Sequence, residues 1–237
     1  MGSKACADAQ IFLLPQAWAA IAGVAGFDML VKAMDSVKER LATDQGIVLH
    51  DPAFRTFDTS IGGATLYLPG LKENAAVFCH SNPWAVIAEA KLGRGDRAYR
   101  YHKDILPSAK NDISDIRRTE PYVYCQMIAG KESACFGEGK NSWLTGTAAW
   151  SLFAATAYIL GIRAEYKGLT IDPAIPPHWK EFSIKRKFRN AEYDIHVSNS
   201  SGVCRGVASI RVNGVEIEGT TLPYADGRKY AVEAVMG

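Results

Sequence analysis

Four short stretches combine polar, aromatic and small residues in a way that core packing does not require. They are Lys72-Glu73-Asn74, Phe78-Cys79-His80-Ser81-Asn82-Pro83-Trp84, Glu120-Pro121-Tyr122-Val123-Tyr124-Cys125-Gln126, and Trp143-Leu144-Thr145-Gly146-Thr147. Aromatic rings offer flat platforms, and amide and charged groups hydrogen-bond hydroxyls, so this texture fits a carbohydrate cleft. Thr145, Gly146 and Thr147 stand just before the apolar run 151–162, which has helical length. The first N–H groups of a helix lack internal partners and lie at the positive end of its dipole, so this point is suited to an anion. An ordinary Thr cap on a core helix is the alternative.

Residues 9–25 are Ala-rich and apolar nearly all round, which predicts a buried helix closed by Gly26. Residues 27–41 place Leu30, Met34, Val37 and Leu41 on one face, and the two segments form a helical hairpin. Residues 43–70 read as a long loop with turn residues and brief strands, a length that tends to be functional. Residues 75–92 are the next helix candidate, kinked or late-starting at Pro83, and 97–105 resume as a shorter helix. The apolar segment 123–129 ends at Gly130. Repeated helix pairs with long loops predict a toroid of helical hairpins whose loops gather on one face.

After Gly161 the pattern changes. Pro173, Pro176 and Pro177 exclude helix, and alternation predicts strands in 183–188, 193–197, 209–212 and 230–233. Asn213-Gly214 is a two-residue hairpin signal. The reading is mainly α with a C-terminal β unit, divided into residues 1–165 and a small antiparallel, sandwich-like β domain over 166–237.

Composition narrows the function. The chain has 237 residues, 48% of them hydrophobic, enough for a sizeable core in one or two domains. A net charge of +2 spread along the length gives no electrostatic case for nucleic acid or an anionic membrane surface. No uninterrupted apolar run reaches a membrane span, and the first residues lack the apolar core of a secretion signal. Five scattered cysteines without a CxxC favour reduced thiols, and the expectation is a soluble, cytoplasmic protein. No His, Cys and carboxylate cluster has zinc-ligand spacing, and Gly137-Glu138-Gly139-Lys140-Asn141 lacks the spacing of a nucleotide-binding loop.

At these residues the sequence resembles the inverting disaccharide phosphorylases of glycoside hydrolase family 94, which include cellobiose and chitobiose phosphorylases. The resemblance runs over essentially the whole chain. It takes in Ala33-Met34-Asp35-Ser36-Val37, Pro69-Gly70-Leu71-Lys72-Glu73-Asn74, Glu120-Pro121-Tyr122, the stretch from Ser142 to Trp150, Leu160-Gly161-Ile162, and Asp172-Pro173-Ala174-Ile175-Pro176. The resemblance implies part of an (α/α)6 barrel followed by a small β domain. It also implies phosphate binding by His80, Thr145, Gly146 and Gln126, and donor-sugar binding by Lys72 and Glu73. The partners it implies are a disaccharide and inorganic phosphate as co-substrate, with no cofactor and no metal, in a homodimer at full length.

The family's general-acid Asp belongs to a stretch upstream of these residues. On that reading the chain is a carboxyl-terminal portion with half a site and little turnover, and an incomplete barrel would self-associate. Ala75-Ala76 and Asn190 stand where family members carry glycine; Asn tolerates positive φ, whereas Ala does not, so the first change is expected to disturb a ligand loop. Two alternatives stand beside phosphorolysis: a truncated carbohydrate-binding protein without catalysis, and the phosphorylase-like segment of a cyclic β-glucan synthase.

Overall fold

The computed structural model describes residues 1–224 and 226–237. It contains 32% helix and 25% strand and divides into two compact units, Met1–Ala88 with Arg100–Leu152 and Glu89–Tyr99 with Phe153–Gly237.

The first unit opens with strand β1 (Ile11–Phe12) and helix α1 (Leu13–Ala22), which accepts Pro15 in its first turn because those N–H groups have no helical partner. Gly23 ends α1 at φ 66° with its N–H on the Ala19 carbonyl. Helix α2 (Phe27–Arg40) buries Leu30, Met34 and Val37 and packs against α1, while Asp28 in the first turn and Lys38 and Arg40 in the last complement its dipole. Strands β2 (Ala42–Thr43) and β3 (Gly46–Ile47) pair across a tight turn, and β4 (His50–Asp51) pairs with β1.

Strand β5 (Val77–Phe78) precedes helix α3 (Asn82–Lys91), and helix α4 (Gly95–Ile105) follows; these helices carry the chain into the second unit and back. A single turn α5 (Ser114–Arg117), strand β6 (Cys125–Ile128), strand β7 (Gly139–Ser142) and helix α6 (Thr147–Phe153) complete the first unit's elements; π-helical turns continue α6 over Ala154–Ile159. Strands β5, β6 and β7 form one antiparallel sheet, with Phe78 opposite Met127 and Cys125 opposite Ser142. Asn82 locks the start of α3 to β3, its amide oxygen accepting from the Ile47 N–H at 2.8 Å and its amide nitrogen donating to the Ile47 carbonyl at 3.0 Å.

This arrangement corrects the expected mainly α fold and its (α/α)6 toroid, which the chain does not build: helices are interleaved with several small sheets. The segment 75–92 is helical only from Asn82, because Ala75 sits at φ 62° and Val77–Phe78 pair with β6. The apolar run 123–129 supplies strand β6, where Val123, Cys125 and Met127 are buried and Gln126 is half-buried. A short apolar run satisfies helix or strand alike until a pairing partner decides.

In the second unit, β8 (Ile162–Ala164) and β9 (Leu169–Ile171) form a hairpin. Strands β10 (Glu181–Phe188), β11 (Ala191–Ser198), β12 (Ser209–Val212) and β13 (Val215–Ile217) follow, then β14 (Thr221–Leu222), which adds to β9, and β15 (Lys229–Val235). The five-stranded sheet has the order β10-β11-β15-β12-β13. Tyr193, Ile195 and Val197 of β11 and Val232 and Ala234 of β15 are buried, as period-two alternation requires. The sheet is mixed, however: β11 and β15 run parallel, against the expectation of a purely antiparallel unit. Asn213 and Gly214, at φ 51° and 82°, make the two-residue turn from β12 to β13, and Arg189 and Asn190 do the same between β10 and β11. Among the described residues, no helix is long and apolar enough to cross a membrane.

Two features set stability. Gly130 passes so close to the loop before β5 that an added Cβ would lie 2.1 Å from the Ala75 carbonyl oxygen. Gly130→Ala is therefore expected to lower unfolding free energy by about 3 kcal/mol, the overpacking range, whereas Gly63→Ala, with nothing within 4 Å, should leave a urea melt unchanged.

In the second unit Glu89 is fully buried and pairs with Arg94 and Arg97; desolvation nevertheless pushes its carboxyl up to about 7. An acid raised in the folded state contributes stability that is complete below its unfolded value, 4.5, and is lost as pH climbs through about 7. Glu89→Gln should thus gain on the parent between pH 5 and pH 8, by up to roughly 3 kcal/mol in paired urea melts. A relative stability that falls with pH would show instead that the two arginines outweigh burial.

Candidate functional site

The site is built on the sheet β5-β6-β7 of the first unit. Strand β5 ends in a single tight turn, Cys79–Ser81, anchored by Ser81 Oγ donating to the Phe78 carbonyl at 2.8 Å. His80 is presented from this turn, half-buried beside two indoles: its ring centroid lies 5.4 Å from Trp84 and 6.4 Å from Trp150, and those rings meet edge to face at 5.7 Å. Trp18 closes on Trp84 at 5.4 Å.

Strand β7 delivers the chain to Trp143, held at φ 72°, with its N–H on the Tyr124 carbonyl at 3.2 Å. Two residues later Thr145 Oγ1 accepts from the Thr147 N–H at 3.1 Å and lies 2.5 Å from Thr147 Oγ1. Thr145 is thus a cap for α6, and when Thr147 is the hydroxyl donor, the Thr145 proton is available to a ligand. Gly146 faces the imidazole: a Cβ there would stand 3.4 Å from His80 Cε1, 3.6 Å from Nδ1 and 3.9 Å from Nε2. Gly146 is exposed and Thr145 half-buried, so this junction opens to solvent.

Gln126 lies on β6 and joins the group through Lys72. Its Oε1 accepts from Lys72 Nζ and, at 2.9 Å, from Asn141 Nδ2 on β7. With two donors on the oxygen, the amide is oriented so that its NH2 group faces away from both and remains a donor. Lys72 is itself held in place, at φ 51° with its N–H on Met127 Sδ. Glu73 is exposed and lines, with His80, Phe78 and Trp84, a cavity of about 220 Å³. The carbonyl of Glu73 lies 3.2 Å from His50 Nε2, and that ring is wedged between Phe12 and Phe54; burial lowers its pKa.

All six residues singled out from the sequence therefore belong to one region, linked as Gly146 to His80, His80 to Glu73, and Lys72 to Gln126. Asn74, from the same stretch as Lys72, is structural: it is fully buried, accepts from the Phe54 N–H and donates to the Phe54 and Tyr67 carbonyls. Four contributing residues were not assigned roles from the sequence. Asn141 orients Gln126; Trp84 and Trp150 cage His80; Glu120 accepts from Trp143 Nε1 at 3.2 Å. The Glu120 carboxyl is held below its usual range by its own backbone N–H, then by Ser142 and Trp143, so it is ionised rather than a proton donor at neutral pH. Only the polar and aromatic texture of these stretches hinted at such roles.

All five cysteines are free. Cys79 and Cys125 flank His80 and Gln126 with sulfurs 3.9 Å apart. Among the described residues no group of three or more His, Cys, Asp or Glu side chains could hold a metal ion. Chemically, the region offers hydroxyl, imidazole, amide and backbone donors beside one lysine and one exposed carboxylate, a set suited to an oxyanion next to a polyol.

Comparison with known proteins bears on this geometry. A family model, "Glycosyl hydrolase 94 superfamily, catalytic domain", matches residues 1–161. The chain is 40% identical over 237 residues to N,N'-diacetylchitobiose phosphorylase of Vibrio proteolyticus, covering 100% of this chain and 30% of that protein. The Vibrio furnissii phosphorylase of the same name is 44% identical over 206 residues, 87% of this chain and 26% of its own length. Solabiose phosphorylase of Paenibacillus borealis is 32% identical over 237 residues, 100% of this chain and 31% of its own. The chain spans less than a third of the length of these curated relatives. With the family model matched over its first 161 residues, the chain belongs to the glycosyl hydrolase 94 superfamily.

Proposed function

We propose that this chain forms the phosphate-holding and donor-sugar part of an inverting phosphorylase that cleaves a β-linked disaccharide of the cellobiose or chitobiose type. Residues up to about 165 belong to its catalytic domain on this reading, and the later strands form a separate β domain; the matched range 1–161 supports that division. The observation that supports the proposal is that the His80 ring lies within reach of a Cβ added at Gly146, beside the Thr145 hydroxyl at a point open to solvent.

In this reading a phosphate oxygen attacks the anomeric carbon from the face opposite the glycosidic oxygen. The new C–O bond forms as the glycosidic bond breaks, inverting the carbon and yielding a sugar 1-phosphate, while the departing oxygen takes a proton from a carboxylic acid. Phosphate is already anionic at neutral pH, so no base carboxylate is required. What is required is a cradle that fixes its position. His80, the Thr145 hydroxyl, the Gly146 N–H and the Gln126 NH2 group are the donors. Lys72 and Glu73 meet the hydroxyls of the donor sugar. In this reading none of these six residues supplies the leaving-group proton, which falls to a carboxylic acid outside the group.

Calorimetry of this chain with inorganic phosphate is expected to show binding that weakens at least about tenfold in Thr145→Ala and in His80→Ala, the loss of one charge-assisted contact each. In a chimera carrying residues 1–237 in place of the matching part of the Vibrio proteolyticus phosphorylase, release of sugar 1-phosphate should depend on phosphate and fall by about 10²–10³ in either variant. Equal cleavage in phosphate-free buffer would overturn the proposal. Gly146→Ala tests this proximity: the new methyl fits at van der Waals distance from the ring, so stability should stay within about 1 kcal/mol of the parent while phosphate affinity drops. Unchanged affinity would place the anion elsewhere.

A further inference from the structure

A cavity of about 480 Å³ in the second unit shares no lining residue with the His80 region and carries an unusual charge set. Lys91 at the end of α3, Arg163 on β8, Arg186 on β10 and Arg205 contribute four cations, against the two carboxylates of Glu165 and Asp172. The net lining charge is +2, in a space the size of an ordinary small-molecule site.

The cations are fixed in place. Asp172 accepts from Arg205 Nε at 3.0 Å and Nη2 at 2.8 Å, and from Arg163 Nη2 at 3.0 Å. Arg205 Nη1 also donates to the Lys91 carbonyl at 2.6 Å, and Arg163 Nη1 to the Ala157 carbonyl at 3.4 Å. Those bonds hold the Asp172 carboxyl below its usual range, so the bridge stays ionised at neutral pH. A guanidinium has five N–H donors, and the bonds described leave part of each set unspent. Arg186 is exposed and makes no ion pair among the described residues.

One wall is aromatic. Tyr158 meets Phe153 edge to face at 5.5 Å, Phe153 is 47% exposed, and the Arg163 guanidinium lies 5.6 Å from the Tyr158 ring centroid. Pre-set guanidiniums bind a phosphate in a defined geometry, whereas an exposed ring beside them offers a face to a pyranose. A core-forming ion cluster needs neither an exposed ring nor two further cations on separate elements.

We infer that this cavity is a second ligand site, taking a sugar that carries a phosphate group, with the phosphate at Arg163, Arg186, Arg205 and Lys91 and the pyranose against Phe153. A sugar monophosphate dianion is opposite in sign and equal in size to the lining charge of +2. The site is distinct from the His80 region and does not depend on the phosphorolysis reading.

The test is calorimetry of the full chain at low ionic strength with glucose 1-phosphate, inorganic phosphate, glucuronate and cellobiose, performed in a His80→Ala, Thr145→Ala background so that the first region cannot contribute. Glucose 1-phosphate is expected to bind there and to lose about tenfold in affinity in Arg186→Ala and in Lys91→Ala, both exposed positions whose replacement spares the fold. Absence of binding in that background, or binding indifferent to both substitutions, overturns the inference. Inorganic phosphate binding as tightly as the sugar phosphate removes the pyranose contact, and glucuronate or cellobiose binding more tightly removes the phosphate contact. Either result sinks the assignment.

Discussion

The pairing of three short strands is the constraint on which the site depends. Val77 and Phe78 on β5, Cys125 to Ile128 on β6 and Gly139 to Ser142 on β7 come from stretches far apart in the chain, and their buried peptide groups have no water to bond. Antiparallel pairing satisfies them, and each strand then has a fixed register. That register determines that His80 emerges just beyond β5, that Gln126 and Asn141 face each other across β6 and β7, and that the chain leaving β7 reaches Gly146 above the imidazole. A slip of one residue would turn Gln126 to the opposite face and separate it from Lys72. The chemistry of the region is thus a consequence of backbone hydrogen bonding before it is one of side chains.

Holding this arrangement requires unfavourable backbone. Lys72, Ala75, Asn141 and Trp143 all have positive φ, and all lie in the two segments that carry the site. For L-residues this conformation costs roughly 1–2 kcal/mol each, least for Asn. Such strain persists only where the surroundings over-determine it. Here the Asn74 amide bonds to Phe54 and Tyr67, the Lys72 N–H on Met127 and the Trp143 N–H on Tyr124 supply the restraint. Ala9 and Arg118 of the same unit also have positive φ, but the other four such residues fall in the two segments that place Lys72 and Gly146.

Parts of this were legible from residue order. Leu30, Met34, Val37 and Leu41 recur at helical spacing and are buried together, and Asn213-Gly214 makes the turn its composition demands, because Asn and Gly tolerate positive φ. The helix start near Thr145 was legible too, since an apolar run of helical length follows two hydroxyls and a glycine. The segments 75–81 and 123–129 were not. Both are short and apolar, and neither alternation nor helical spacing decides between helix and strand until β5 and β6 meet. The toroid was expected from repeated helix pairs, one of which took 75–92 as a single helix although its Val77 and Phe78 pair as β5. The parallel pairing of β11 with β15 depends on partners more than thirty residues apart, which local pattern does not encode. Within the site, residue types marked out the polar and aromatic stretches, whereas the double donation that orients Gln126 is a tertiary fact with no local signal.

The two charged regions differ in a way that bears on what each could do. Around His80 the donors are mostly neutral, and the one lysine of the group is engaged by the Gln126 oxygen. On the proposed phosphorolysis, an anion held by neutral dipoles is positioned without being trapped, which suits a group that must leave its cradle as a new bond forms. In the cavity of the second unit, Asp172 neutralises part of the arginine charge while fixing both guanidiniums, so attraction and geometry are set together. Removing Asp172 would raise the local charge but release the side chains that shape it. Affinity there depends on the carboxylate as much as on the cations, because a guanidinium free to rotate loses the entropy advantage of being held in advance.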